Sequence, residues 1–138
     1  MSYNTGNYNG SDGTGTYNTF ATGATPYITG RANYYMRVPE LTSSGLLGVF
    51  DQQPNEVLDY DIDFTDWAIV RNDRPNSVTV TAETGLVVLG YTFVGNTVRV
   101  VLGGGVTGGA YKVTVRLSTD SVPAVIKEVD FLVRVKEI

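Results

Sequence analysis

Hydrophobic and acidic positions alternate most regularly in EVLDYDIDFTDW, Glu56 to Trp67, where Leu58, Tyr60, Ile62 and Phe64 interleave with Asp59, Asp61 and Asp63. A period of two is the mark of a strand with one buried face. The same pattern returns downstream. Val78 and Val80 alternate with polar residues in Ser77–Ala82, and Thr97–Leu102 reads as a strand. Tyr111, Val113, Val115 and Leu117 share one face of Ala110–Leu117, opposite Lys112, Thr114 and Arg116. Val129, Phe131, Val133 and Val135 do so in Ile126–Val135. Gly85 and Gly90 bracket LVVL, Tyr91–Val94 follows, and Gly95-Asn96 reads as a turn. Trp67, with Ile69 and Val70, is expected to continue inward before the polar turn RNDRPN. No segment shows a helical period of useful length.

About seven short strands with a turn every eight to twelve residues favour an all-β fold, an immunoglobulin-like antiparallel β-sandwich. Trp67 suits its centre, although the chain has no cysteine pair to go with it. Roughly 85 residues suffice for a small two-sheet core.

Residues 1–50 have a different texture, and the expected domain boundary falls between them and the sandwich of residues 51–138. Six of the nine tyrosines are here, at Tyr3, Tyr8, Tyr17, Tyr27, Tyr34 and Tyr35, and the only charges are Asp12, Arg31, Arg37 and Glu40. Gly6, Gly10, Gly13, Gly15, Gly23 and Gly30 disfavour a helix. YNTGNYNG and TYNT are similar, but no fixed period makes a repeat. Alone, this stretch buries too little apolar surface to offset its ordering entropy. It therefore reads either as a flexible polar tail or, where partner subunits order it, as an extended arm that docks on them. Tyr3, Tyr8, Tyr17, Phe20, Tyr27, Arg31, Tyr34, Tyr35 and Arg37 are its candidate contacts, because tyrosine combines a flat apolar ring with a hydrogen-bonding tip. Extended pieces of this kind can add to a neighbour's sheet edge. Residues 34–50 are more apolar; Ser43-Ser44-Gly45 reads as a turn, and Leu46, Leu47, Val49 and Phe50 are placed to cover the domain or dock on a partner.

Composition narrows the chemistry. The net charge is −4, the ten basic residues are scattered, and there is no histidine, so a nucleic-acid partner is not expected. Without cysteine there is neither a disulfide framework nor a thiolate metal site. No apolar run approaches the ~18 residues of a spanning helix, so no membrane partner is expected, and MSYNTGNYNG lacks the regions of a secretory signal. A nucleophile–base pair of serine or cysteine with histidine cannot be assembled. No enzyme activity and no cofactor is expected.

Asp51, Glu56, Asp59, Asp61, Asp63 and Asp66 form an acidic cluster. On one strand face Asp59, Asp61 and Asp63 stand about 6.5–7 Å apart. A hard cation needs converging oxygens, whereas such a row points its carboxylates in parallel. The row is expected to be solvated or paired, with Lys112, Arg116 or a neighbour's basic residues, and is a possible acidic contact face rather than a metal site. GGGVTGG, Gly103–Gly109, lacks the lysine and the following helix of a phosphate loop, and reads as a wide, flexible hairpin loop. Tyr60 and Tyr91 are candidates for stacking on sugar, with core packing favoured for Tyr60 and Tyr111, which lie on the apolar phase of their strands.

QPNEVLDYDIDFTDW resembles the "DPDEVLDY-x-x-D-W" opening of phage fibre–tail adaptor proteins and related neck and tail virion proteins. TVRVVLGGGVTGGAYKVTVRLST resembles the same family's "VWLSGGT-x-G-x-x-Y-x-V-x-x-x-I-T-T" segment, and VDFLVRVKE its closing strand. The likeness runs over residues 53–136 and departs from the pattern at Ala68 and at RNDRPN; residues 1–50 have no counterpart. It implies a structural virion protein of a tailed bacteriophage with an immunoglobulin-like fold. Such a protein is an adaptor at the neck or tail that attaches fibres or braces the connector. Its implied partners are portal, connector, tail or fibre subunits and copies of itself. Assembly would take place in the host bacterial cytoplasm, and the protein would reside in the virion. Two alternatives stay open: a capsid decoration or head-fibre protein, told apart by copy number, and a carbohydrate-binding or host-adhesion module, told apart by a glycan ligand.

Overall fold

The computed structural model describes residues 30–40 and 46–137. Among these residues, eight strands and one short helix follow in the order β1 (Tyr34–Arg37), β2 (Leu46–Gln52), β3 (Val57–Asp63), α1 (Thr65–Arg71), β4 (Pro75–Ala82), β5 (Leu86–Val94), β6 (Thr97–Gly104), β7 (Ala110–Thr119) and β8 (Ile126–Val135). They form two four-stranded sheets, ordered β1-β3-β6-β5 and β2-β8-β7-β4. The sheets pack as an all-β sandwich, as the strand spacing predicts.

The alternating strands bury the faces read from the sequence. Tyr60, Ile62 and Phe64 are fully enclosed, as are Val113, Val115 and Leu117 on β7 and Phe131 and Val133 on β8. At the centre Tyr60 stacks on Phe131, with Phe50 edge-on to both. These apolar faces leave water together, at about 25 cal/mol per Å² of buried apolar surface.

Four local readings need correction. First, Trp67, Ile69 and Val70 lie on helix α1, which turns Trp67 and Ala68 inward and leaves Ile69 and Val70 exposed. Asp63 Oδ1 accepts the Thr65 amide at 2.9 Å, Asp66 sits in the first turn, and Arg71 sits in the last turn over the Trp67 ring. Asn72 ends the helix in the left-handed region at φ 52°. Negative charge at the start and positive charge at the end match the helix dipole. Second, LVVL and Tyr91–Val94 are one strand with a register shift between Val88 and Gly90, so Gly90 marks a bulge rather than a break. Third, the glycine run is not a hairpin: it carries the chain from β6 in the first sheet to β7 in the second. It is tied to the end of β8, Gly108 donating to the Val135 carbonyl and Val135 to that of Gly109. Gly105 has φ 92°, and a Cβ there would come within 2.5 Å of Val135, so no other residue fits.

Fourth, the sandwich begins before residue 51. β1 pairs parallel with β3, and β2 pairs parallel with β8. The segment expected as arm thus supplies one edge strand to each sheet, and both edges pair in parallel in an otherwise antiparallel fold. Met36 and Val38 are buried, and Leu47 and Phe50 pack against the core. The proposed turn at Ser43-Ser44-Gly45 lies outside the described residues.

Candidate functional site

The predicted contact residues divide by position. Tyr3, Tyr8, Tyr17, Phe20 and Tyr27 lie outside the described residues. Arg31, Tyr34, Tyr35 and Arg37 fall on β1 and its approach, against the acidic row of β3.

Tyr34 is half-buried in its own domain. Its ring stacks on Tyr60 at 5.1 Å and meets Phe50 at 4.9 Å, and its hydroxyl donates to the Asp51 carbonyl at 2.6 Å. It therefore ties the two edge strands together across the side of the sandwich. Beneath it Gln52, 1 % exposed, donates to the carbonyls of Glu56 and Leu102 and accepts the Tyr60 hydroxyl at 2.6 Å. Burial raises the Tyr60 hydroxyl far above its ordinary value, so it stays a donor. Enclosed in this way, Tyr60 cannot stack on a sugar; Tyr91 is half-buried against the core.

The aspartates of β3 point along the outer face of the first sheet, and each has a partner. Asp59 Oδ1 accepts the Asn33 amide at 2.8 Å. Asp61 holds Arg99 from the adjacent strand β6 through two bonds, 2.7 and 2.9 Å, both side chains about 15 % exposed. Asp63 accepts the Tyr35 hydroxyl. Asp66, in the first turn of α1, pairs with Arg37 at 2.6 Å. Burial pushes Asp63 up, but hydrogen bonds from Thr65 and Tyr35 outweigh it and hold the carboxyl below its ordinary value. The same bond to Asp63 raises the Tyr35 hydroxyl. Lys112 and Arg116, the expected counter-charges, lie on β7 in the other sheet.

The row is thus an anchor for the chain's own β1 segment. The register explains it: Tyr35 stands opposite Asp61 and Arg37 opposite Asp63, while Asp61 faces Arg99 on its other side. Arg99 Nη2 also donates to the Gly30 carbonyl at 2.8 Å, which fixes where the N-terminal segment meets the domain. An open hollow of about 420 Å³ lies here, lined by Arg31, Asn33, Tyr35, Asp61 and Arg99 among others. Tyr35 is 54 % exposed and Arg31 is exposed, so both present surface beside the anchor. β2 is pinned similarly: Asp51 takes Arg134 at 2.9 Å and Lys136 at 3.7 Å, and the Arg134 hydrogen bond holds its carboxyl below the ordinary value.

Sequence reasoning overlooked Asn33, Asp66 as the Arg37 partner, and Arg99. A lone arginine in TVRVVL carries no local signal of its role; the cross-strand register makes it the partner of Asp61.

Among the described residues no three acidic side chains converge on a point that could hold a metal ion, and no helix is long and apolar enough to cross a membrane. The geometry offers bound strand edges and exposed patches.

No curated protein matches the sequence. Residues 52–134, more than half of the chain, match the family model described as podophage GP4 fiber-tail adaptor protein gp77. Those residues run from the end of β2 through nearly all of β8 and leave β1 and its anchored approach outside the match. The chain belongs to the podophage fibre–tail adaptor family, whose members have a structural role in the phage tail.

Proposed function

We propose that this chain is a non-enzymatic structural adaptor at the neck or tail of a phage particle, where it attaches fibres or braces the connector. The observation that carries this reading is the family match across six of the eight described strands, β3 to β8. The N-terminal segment makes the contacts with partner subunits: portal, connector, tail or fibre proteins and copies of the chain itself. Its tyrosine-rich composition supports that role, as does its attachment to the sandwich at the Gly30–Arg99 contact. The contact residues are Tyr3, Tyr8, Tyr17, Phe20 and Tyr27, with Arg31 and Tyr35 at its base. Tyr34 and Arg37 hold that base in place through Tyr60, Asp51 and Asp66.

Limited digestion with chymotrypsin tests the reading. The isolated chain is expected to be cut at Tyr3, Tyr8, Tyr17, Phe20 and Tyr27 and spared beyond Gly30. In purified particles the same sites are expected to be protected. Equal resistance in the isolated chain would sink the partner-docking role. A copy number of hundreds per particle would move the protein to the capsid surface, since neck and tail proteins form small rings.

A further inference from the structure

Tyr34 to Arg37 pair with Tyr60 to Asp63 at a constant offset of 26 residues. Continued straight, that register would set Gly30 opposite Glu56. The chain does otherwise. The Gly30 carbonyl accepts a bond from Arg99 Nη2 at 2.8 Å, and Arg99 stands opposite Asp61 and holds its carboxylate. Asp61 lies five residues beyond Glu56. At about 3.3 Å per extended residue, Gly30 is displaced on the order of 15 Å along the sheet. The segment therefore doubles back between Asn33 and Gly30. It lies against the outer face of the first sheet instead of running off the β1 edge.

Both ends of the reversal are fastened. Asn33 brackets Asp59: its amide donates to Asp59 Oδ1 at 2.8 Å, and its Oδ1 accepts the Asp59 amide at 3.4 Å. At the other end Gly30 has φ 88°, while a Cβ there would meet no atom within 4 Å. Glycine serves the left-handed backbone of the turn here and does not relieve crowding. The Asp61–Arg99 pair that receives Gly30 is only about 15 % exposed on each side chain. Two apolar side chains of similar size often serve stability as well as a pair so far removed from water. The guanidinium does what an apolar pair cannot. Its Nε and Nη2 hold Asp61, and Nη2 also reaches the backbone carbonyl of Gly30. What the pair adds is orientation of the segment.

We propose that Asp61 and Arg99 are positioning residues for subunit docking. They hold Gly30 folded back over the sheet and so set the place and direction from which residues 1–29 reach a partner. Without the pair the segment follows the register of β1 and leaves beside Glu56, on the order of 15 Å away. This rests on the reading of the segment as a subunit-docking element and names the residues that aim it.

The double variant Asp61→Met/Arg99→Met of the full chain tests it, with the urea midpoint expected to stay close to that of the wild type. Trypsin cleavage after Arg31 in the isolated chain reports the reversal and is expected to run at least tenfold faster in the variant, with cleavage after Arg37 on β1 unchanged. Incorporation into particles, in competition with the wild-type chain, is expected to fall at least tenfold. Gly30→Val leaves the pair and the core untouched but opposes the turn, and it carries the same two expectations should the double variant unfold early. Unchanged cleavage after Arg31 overturns the proposal, as does equal acceleration after Arg37, which would report loosening of the whole edge. Incorporation equal to wild type, with Arg31 made labile, overturns the docking role and leaves the adaptor reading standing. Absence of the wild-type chain from purified particles would overturn the adaptor reading itself, and the docking role with it.

Discussion

The two edges of the first sheet are finished in opposite ways. β1 is four residues long, polar on its outer side, and held by Asp59, Asp63 and Asp66. β5 is nine residues long, uncharged, and turns valine and leucine to solvent. At β1 a strand of only four residues is kept in place by specific side-chain bonds, because Met36 and Val38 must seal the core there. At β5 the strand is secured by its antiparallel hairpin with β6. One edge is held by side-chain bonds to its neighbours, the other by a long backbone ladder.

The contrast can be broken most severely at β1. Met36→Asp would place a carboxylate in the core and is expected to cost more than about 4 kcal/mol, read as lost cooperative unfolding in urea. Next comes the anchor. Asp61→Ala leaves Arg99, 15 % exposed, without its carboxylate, and is expected to cost about 2–3 kcal/mol. The double variant Asp61→Met/Arg99→Met should recover most of that loss, as the coupling in a double-mutant cycle would report. Tyr60→Phe removes the donor to Gln52 Oε1 in a buried site and is expected to cost about 1–2 kcal/mol with the fold intact.

A pH titration sharpens the same comparison. Asp51 and Asp63 lie below their ordinary value of 3.8 when folded. The unfolded chain therefore binds more protons as the solution turns acid, and their contribution is complete above 3.8 and lost as pH falls through the folded values. Tyr35 and Tyr60 lie above 10.0, so their contribution is present below 10 and lost as pH rises past it. The thermal midpoint is expected to fall at both ends, and Asp63→Asn to flatten the acid limb. The smallest effect belongs to β5: Val87→Lys with Leu89→Lys should change stability by no more than about 0.5 kcal/mol in urea denaturation. A large loss there would show that the two edges are not so different.

The strand faces were legible because a period of two needs only local sequence. Leu58, Tyr60, Ile62 and Phe64, and later Val113 to Leu117, read directly as core. Helix α1 was not, since seven residues are too few for a helical period to separate from a buried strand run. The edge strands were missed for another reason. YYMR is too short to show an alternation of its own, and each of its residues pairs in parallel with one 26 residues further on. The acidic row is legible in the sequence, but its partners are not the charges of β7; only the pairing of β3 with β1 and β6 brings Asn33, Tyr35 and Arg99 to it.

The EVLDYDIDFTDW stretch shows where that division falls. Its alternation alone determined that one face is core and that the aspartates share the other, because side chains on a strand must point to opposite sides. Whether those aspartates are solvated, bind a partner or clamp the chain's own N-terminal segment was decided by the tertiary structure. That outcome depends on which strands lie beside β3, and strand pairing between distant segments is set by how the whole core closes rather than by any local pattern.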